Sequence, residues 1–146
     1  MAWHYTTGDK FKHIAACGYL MPTAVGIPAG ERPLLWFSLH PRFEPTARKG
    51  ILDADGVQRA ATLTEMMTHA GGLVRFGVPP RGLLTGQTLR RAARIKREDW
   101  AMLDKTARDA GANSAQWFGS LDPIAISACA VEVMNDSHEW ERGPHS

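Results

Sequence analysis

Residues 3–22 of the chain read WHYTTGDKFKHIAACGYLMP, an aromatic segment that passes into an amphipathic one. Aromatic and β-branched residues at the start are typical of a strand. Thr7 is a good helix N-cap, and Asp9 puts a carboxylate in the first helical turn, where the helix dipole favours negative charge. Apolar residues then recur at helical spacing as far as Gly18, a common helix stop. The segment predicts a first strand followed by a helix from Gly8 to Cys17.

Similar signals continue along the chain. The spacing of Thr62 and Glu65 is that of a capping box, which predicts a helix start. The predicted strands cover residues 34–39, 73–78 and part of 124–133, with a turn at Ser127. One predicted helix follows Thr62, another spans 98–110, and a short one lies within 43–49. The predicted loops cover 21–33 and 113–120. This pattern predicts one compact α+β domain over residues 1–141, with a mixed central sheet of short strands flanked by three to four helices, and a tail that frays over 142–146.

The composition is that of an ordinary folded domain. The 146 residues are 44% hydrophobic and 22% charged, with a formal net charge of only +2. The densest positive stretch, residues 90–97, is expected on a helix, either as a solvated surface or in contact with phosphates. No apolar run approaches the ~20 residues of a membrane span, and two isolated cysteines are too few for a disulfide framework. We expect a cytoplasmic protein with reduced thiols and no membrane partner.

Several kinds of chemistry lack support in the sequence. The six histidines are scattered, and no H-E-x-x-H or C-x-x-C pair occurs, so we expect no metal site. Cys17 falls in the last turn of a predicted helix, where the dipole disfavours a thiolate, which argues against a cysteine hydrolase. Neither G-x-G-x-x-G nor a phosphate-binding P-loop motif is present, which argues against kinases and the dinucleotide-binding fold.

The segment 3–22 resembles the opening of the ADP-ribosyltransferase fold superfamily, in particular the DarT-type DNA-modifying toxins and the RNA 2′-phosphotransferases. The similarity is in the order of aromatic, His, aromatic and Thr before a helix that ends in glycine. Weaker similarity extends to residues 34–49, 73–78 and 117–133, so that roughly half of the chain is covered. The resemblance implies an ADP-ribosyltransferase-like domain of toxin–antitoxin type, with NAD as substrate and a nucleic acid or protein as acceptor.

The resemblance also implies roles for individual residues. His4 is expected to hydrogen-bond the ribose of NAD, and the backbone amide of Tyr5 to hold the nicotinamide carboxamide. An aromatic side chain would stack on the nicotinamide, with Tyr19, Trp36 and Phe37 as candidates. Ser38 and Arg75 are candidates for the ribose or the pyrophosphate. The NAD-binding set implied in this way is His4, Tyr5, Thr6, Tyr19, Trp36, Ser38 and Arg75.

The catalytic carboxylate is where the chain departs from the family. Its usual neighbourhood contains Gln116 and no acid. Glu132, on the last predicted strand, is the substitute candidate, acting with His4; a carboxylate there would stabilise the positive charge that develops on the ribose. Purely structural roles are the alternatives. His4 would then be a structural histidine, and Arg75 would form an ion pair with Glu132. A non-catalytic module that holds a nucleotide or a partner protein on the same fold is the second expectation.

Overall fold

The first strand of the chain is the middle strand of a seven-stranded sheet. The computed structural model describes residues 1–23 and 26–143. Its elements are β1 (Ala2–Thr7), α1 (Gly8–Cys17), β2 (Tyr19–Leu20), β3 (Leu35–Ser38), β4 (Gly50–Leu52), β5 (Gln58–Ala60), α2 (Leu63–His69), β6 (Leu73–Val78), β7 (Leu84–Thr85), α3 (Gly86–Ala92), α4 (Arg97–Asp109), β8 (Trp117–Ser120), β9 (Ile124–Ala125), β10 (Ala130–Met134) and β11 (Trp140–Arg142). The sheet order is β11-β10-β6-β1-β3-β8-β7, and two short pairs, β2-β9 and β4-β5, lie outside it.

The expectation of an α+β domain with a central sheet is confirmed, and the described residues contain four α-helices. Neighbouring strands of the sheet run antiparallel at every pairing instead of in a mixture of directions. The predicted limits of α1 are also confirmed. The Thr7 hydroxyl accepts a bond from the Lys10 amide, and Gly18 ends the helix at a φ of 85°. Both bonds of the capping box between Thr62 and Glu65 are present at the start of α2.

The two faces of the sheet carry different residues, because side chains alternate along each strand. We call the face that α1 covers the front face. Its core residues include Ala2, Phe37, Val74, Phe76 and Val131, with Phe11 of α1 stacked on Phe76. We call the opposite face the back face; α2 contributes Met66 to its core. The register of the strands therefore fixes the face of the sheet on which each side chain lies.

Three expectations differ from the structure. The predicted loop 113–120 contains strand β8, whose pairing with β3 and β7 the local sequence does not reveal. The basic stretch 90–97 is not one helix, because the chain turns at Arg94 (φ 58°) between α3 and α4. Arg90 within that stretch is buried and donates to the Ile95 carbonyl at 2.9 Å, so it is not available to phosphates.

The C-terminal tail was expected to fray from Arg142, but Arg142 belongs to β11 and pairs with Glu132. The amide of Gly143 donates to the Val131 carbonyl at 2.7 Å, and residues 144–146 lie outside the described part. Of the two free thiols, Cys17 is exposed and Cys129 is buried. Across residues 1–23 and 26–143, no helix combines the length and apolarity that a bilayer crossing requires.

Candidate functional site

A groove opens where β1 and β3 separate. The two strands pair at one position, Trp3 with Ser38. Next to this pair, a side chain bridges the two strands: His4 Nδ1 donates to the Trp36 carbonyl at 2.8 Å. The cavity at this separation has a volume of about 650 Å³. That volume lies within the ~300–1,000 Å³ range of small-molecule sites. We call this cavity the β1–β3 groove.

The groove brings together most of the residues that the sequence singled out. Five members of the implied NAD-binding set line it: His4, Tyr5, Thr6, Tyr19 and Trp36. Ser38 lines a neighbouring cavity that shares His4, Tyr5 and Trp36 with the groove. Neither cavity has Arg75 in its lining.

Two lysines and a further histidine also line the groove. Lys10 and His13 project from α1, and Lys49 follows the 3₁₀ turn Pro45–Ala47. Aromatic rings, threonine hydroxyls and cations are thus combined in one concave site. This combination suits a ligand that carries both a flat ring and an anionic group, since rings stack on aromatics and phosphates pair with lysine.

The chemistry of His4 follows from its partner. A carbonyl oxygen only accepts hydrogen bonds, so Nδ1 must carry the proton and Nε2 of the neutral ring is an acceptor. Burial lowers the pKa of His4 from its ordinary value of 6.5; the bond to Trp36 opposes this shift, and the charge of Lys10 adds to it. The ring is therefore neutral at pH 7. A neutral ring with an accepting Nε2 suits a hydroxyl donor such as a ribose.

Arg75 is held by structural contacts on the back face. Its side chain is buried, and its Nε donates to Glu132 Oε1 at 2.8 Å. A second bond reaches the Pro41 carbonyl at 3.0 Å. The guanidinium lies 3.8 Å from the ring centroid of Trp3 and 4.4 Å from that of Trp140. Arg75 therefore has the partners that a buried charge needs without any ligand.

The expected pairing of His4 with Glu132 in one cleft is wrong in its geometry. His4 lies opposite Phe76, whereas Glu132 lies opposite Arg75. Phe76 and Arg75 are consecutive on β6, so their side chains, and those of their partners, point to opposite faces of the sheet. His4 is on the front face, and Glu132 is on the back face with its carboxylate paired to Arg75. The alternative that the sequence left open, a mutual Arg75–Glu132 pair, is the one observed.

The other candidates divide between core and surface. Phe37 is 2% exposed, and its ring centroid lies 5.8 Å from that of His4, so it is a core residue of the front face and not a free stacking surface. Tyr19 is 49% exposed and is better placed to cover a ligand. Gln116 ends a 3₁₀ turn, and its carbonyl accepts a bond from the Leu39 amide at 3.0 Å.

Sequence reasoning missed the groove-lining Lys10 and Lys49, and it also missed Glu44. It is 5% exposed, and its Oε1 accepts a bond from Trp117 Nε1 at 2.6 Å. Its Oε2 has no hydrogen-bond partner among the residues that the structure describes. Glu44 lines the neighbouring cavity together with Ser38. No spacing or motif marks it in the sequence, because its environment comes from Trp117, which is far away along the chain.

Comparison of the chain with models of known families, with curated proteins and with solved structures finds no match. Within the described ranges, no three His, Cys, Asp or Glu side chains are grouped as a metal site would require.

Proposed function

We propose that the protein binds NAD or a closely related nucleotide in the β1–β3 groove, as an ADP-ribosyltransferase-like protein. One observation carries the proposal: the groove collects His4, Tyr5, Thr6, Tyr19 and Trp36 around one concave space. Lys10 and Lys49 add positive charge along the same walls. The aromatic rings would take the nicotinamide, the cations the pyrophosphate, and Nε2 of His4 a ribose hydroxyl.

Transfer of ADP-ribose to a nucleic acid or protein is the activity that the resemblance implies. A second candidate is a non-catalytic module that binds a nucleotide or a protein and does no chemistry. The pairing of Glu132 with Arg75 favours this second candidate, because the implied catalytic acid is occupied on the other face of the sheet. The same pairing argues against Glu132 as the catalytic carboxylate of an enzyme.

Calorimetric titration with NAD, ADP-ribose and nicotinamide tests the binding proposal. We expect NAD and ADP-ribose to bind, and nicotinamide to bind more weakly because it lacks the phosphates. His4→Asn is the informative variant, since its amide can still donate to the Trp36 carbonyl while the Nε2 acceptor is lost. Loss of one ligand hydrogen bond should weaken NAD binding by about three- to tenfold. The matched control is His69→Asn on the exposed part of α2.

The outcomes separate the alternatives. No heat and no thermal stabilisation at millimolar NAD would refute the proposal, because a ligand bound only by the folded state must raise Tm. Equal NAD affinity in His4→Asn and the unaltered protein would remove His4 from the site. Incubation with labelled NAD and a mixture of DNA, RNA and protein then distinguishes a transferase, which labels an acceptor, from a module that leaves NAD intact.

A further inference from the structure

A second cavity lies on the back face of the sheet, between the strands and helix α4. Its volume is about 410 Å³, and Leu103 and Thr106 of α4 line its outer side. Several aromatic side chains belong to its wall, among them Trp3, Tyr5, Trp36 and Trp117. The rings of Trp36 and Trp117 meet edge to face, with centroids 5.9 Å apart. We call this space the indole cavity.

One carboxylate, that of Glu44, belongs to this aromatic wall. Only its Oε1 is bonded, to the indole of Trp117, and its Oε2 has no partner within the described residues. A buried carboxylate oxygen without a partner costs folding free energy. Arg75 is a buried cation on the same sheet face, but its bonds go to Glu132 and the Pro41 carbonyl. Glu44 thus supplies a negative group that the surrounding chain only half satisfies.

Such a wall selects for a particular class of ligand. Indole faces attract cations, and Trp does so more strongly than Tyr or Phe. The back face already shows this attraction, since the Arg75 guanidinium lies against Trp3 and Trp140. A metal ion fits poorly, because hard cations need several oxygen ligands and the described residues offer no cluster of three acidic, His or Cys side chains. An organic cation needs only the rings and one counterion.

We propose that the indole cavity binds a small organic ammonium cation, with Glu44 as the counterion and the indoles of Trp36 and Trp117 as walls. The cavity shares His4, Tyr5 and Trp36 with the β1–β3 groove, but this proposal does not depend on NAD binding. The recognised chemistry is a positively charged nitrogen that carries alkyl groups, as in a quaternary ammonium head group.

The test compares choline with 3,3-dimethylbutan-1-ol, a neutral molecule of nearly the same shape in which carbon replaces nitrogen. The indole N–H resonances of the five tryptophans report binding in the ¹⁵N-labelled protein. We expect choline to shift the signals of Trp36 and Trp117 and to leave Trp140, which is not in the cavity wall, unchanged. Choline should bind at least about tenfold more tightly than the alcohol, because only the cation gains from the rings and the carboxylate.

The variant Glu44→Gln removes the charge but keeps an acceptor oxygen for Trp117. It should reduce the preference for choline over the alcohol to near unity, while Glu139→Gln, an exposed control, keeps the preference. Equal binding of the two ligands to the unaltered protein, or no shift at tens of millimolar choline, would overturn the proposal. If Glu44→Gln fails to fold, the comparison of the two ligands on the unaltered protein still decides. Loss of NAD binding would leave this result untouched, because the signals of Trp117 report the indole cavity alone.

Discussion

Replacing Glu132 with Gln should destabilise the protein, because it leaves the guanidinium of Arg75 without its charged partner. Arg75 is 6% exposed, so water cannot readily replace the carboxylate. The side chain of Glu132 is 27% exposed, so the pair is not fully desolvated. Removing one member of a fully buried pair costs ~3–5 kcal/mol. Because Glu132 is partly exposed to solvent, the cost should be smaller than for a fully buried pair. We expect a loss of about 2 kcal/mol in the free energy of unfolding.

For a chain of this size, that loss corresponds to a fall in Tm of about 4–8 °C. Circular dichroism during thermal and urea unfolding measures both quantities. The matched control is Asp109→Asn, which breaks an ion pair with Lys105 whose two side chains are 63% and 66% exposed. This control should unfold at the temperature of the unaltered protein, because exposed pairs contribute little.

A Tm for Glu132→Gln within 1 °C of the unaltered protein would refute the reasoning. A double-mutant cycle with Arg75→Met provides a second check, and the two substitutions should couple by at least about 1 kcal/mol. Loss of NAD turnover with full stability would instead restore Glu132 as a catalytic acid, against the geometry of the two sheet faces.

Further predictions follow from other contacts. Burial lowers the pKa of His4 from 6.5, so His4 takes up a proton at higher pH in the unfolded chain than in the native one. Keeping His4 neutral therefore contributes to the free energy of unfolding, and this contribution is complete above pH 6.5. It is lost as the pH falls below 6.5, by up to ~1.4 kcal/mol per pH unit. Urea unfolding at pH 7.5 and 5.5 should show the decline, and His4→Asn should lack that part of it. Gly77→Ala should lower the free energy of unfolding by about 1–3 kcal/mol, since the added Cβ would lie 2.5 Å from the Trp3 ring; unchanged urea unfolding would mean that the ring yields freely. A maleimide should label exposed Cys17 but not buried Cys129. NAD should slow the labelling, because Cys17 lines the β1–β3 groove. Mass spectrometry after timed quenching measures both, and an unchanged labelling rate with NAD would contradict binding in the groove.

The helices and strands that could be predicted from the sequence are those whose start, pattern and end are encoded by nearby residues. Helix α1 has its cap, its apolar stripe and its glycine stop within a dozen residues, so its limits could be predicted. Strand β6 is buried along its whole length and is bounded by glycines and prolines. Strand β8 has no such signal, because Gly119 interrupts it and its partners are distant in sequence. Gly119 is there for packing, since an added Cβ would lie 2.8 Å from Leu89.

The sequence could predict which segment contributes to the site, but not which distant residues share a face of the sheet with it. His4 could be singled out because its strand and helix are contiguous in the chain. Alternation along β10 also separates Glu132 from Val131 without a structure. Whether Glu132 shares a face with His4 depends on two successive strand registers, from β1 to β6 and from β6 to β10. Registers of strands so far apart in sequence are set by packing of the whole sheet, which no local pattern encodes.

The middle position of β1 has a consequence for how the chain folds during synthesis. Of the strands in this sheet β1 is made before the others, and its main partner β6 begins only at Leu73. β6 in turn gains its second neighbour only when β10, at residues 130–134, has been made. Until β6 is made, β1 can pair only at the single position that it shares with β3, so most of its backbone has no strand partner during that part of translation. From contacts of such long sequence separation we expect slow refolding, on the order of milliseconds to seconds.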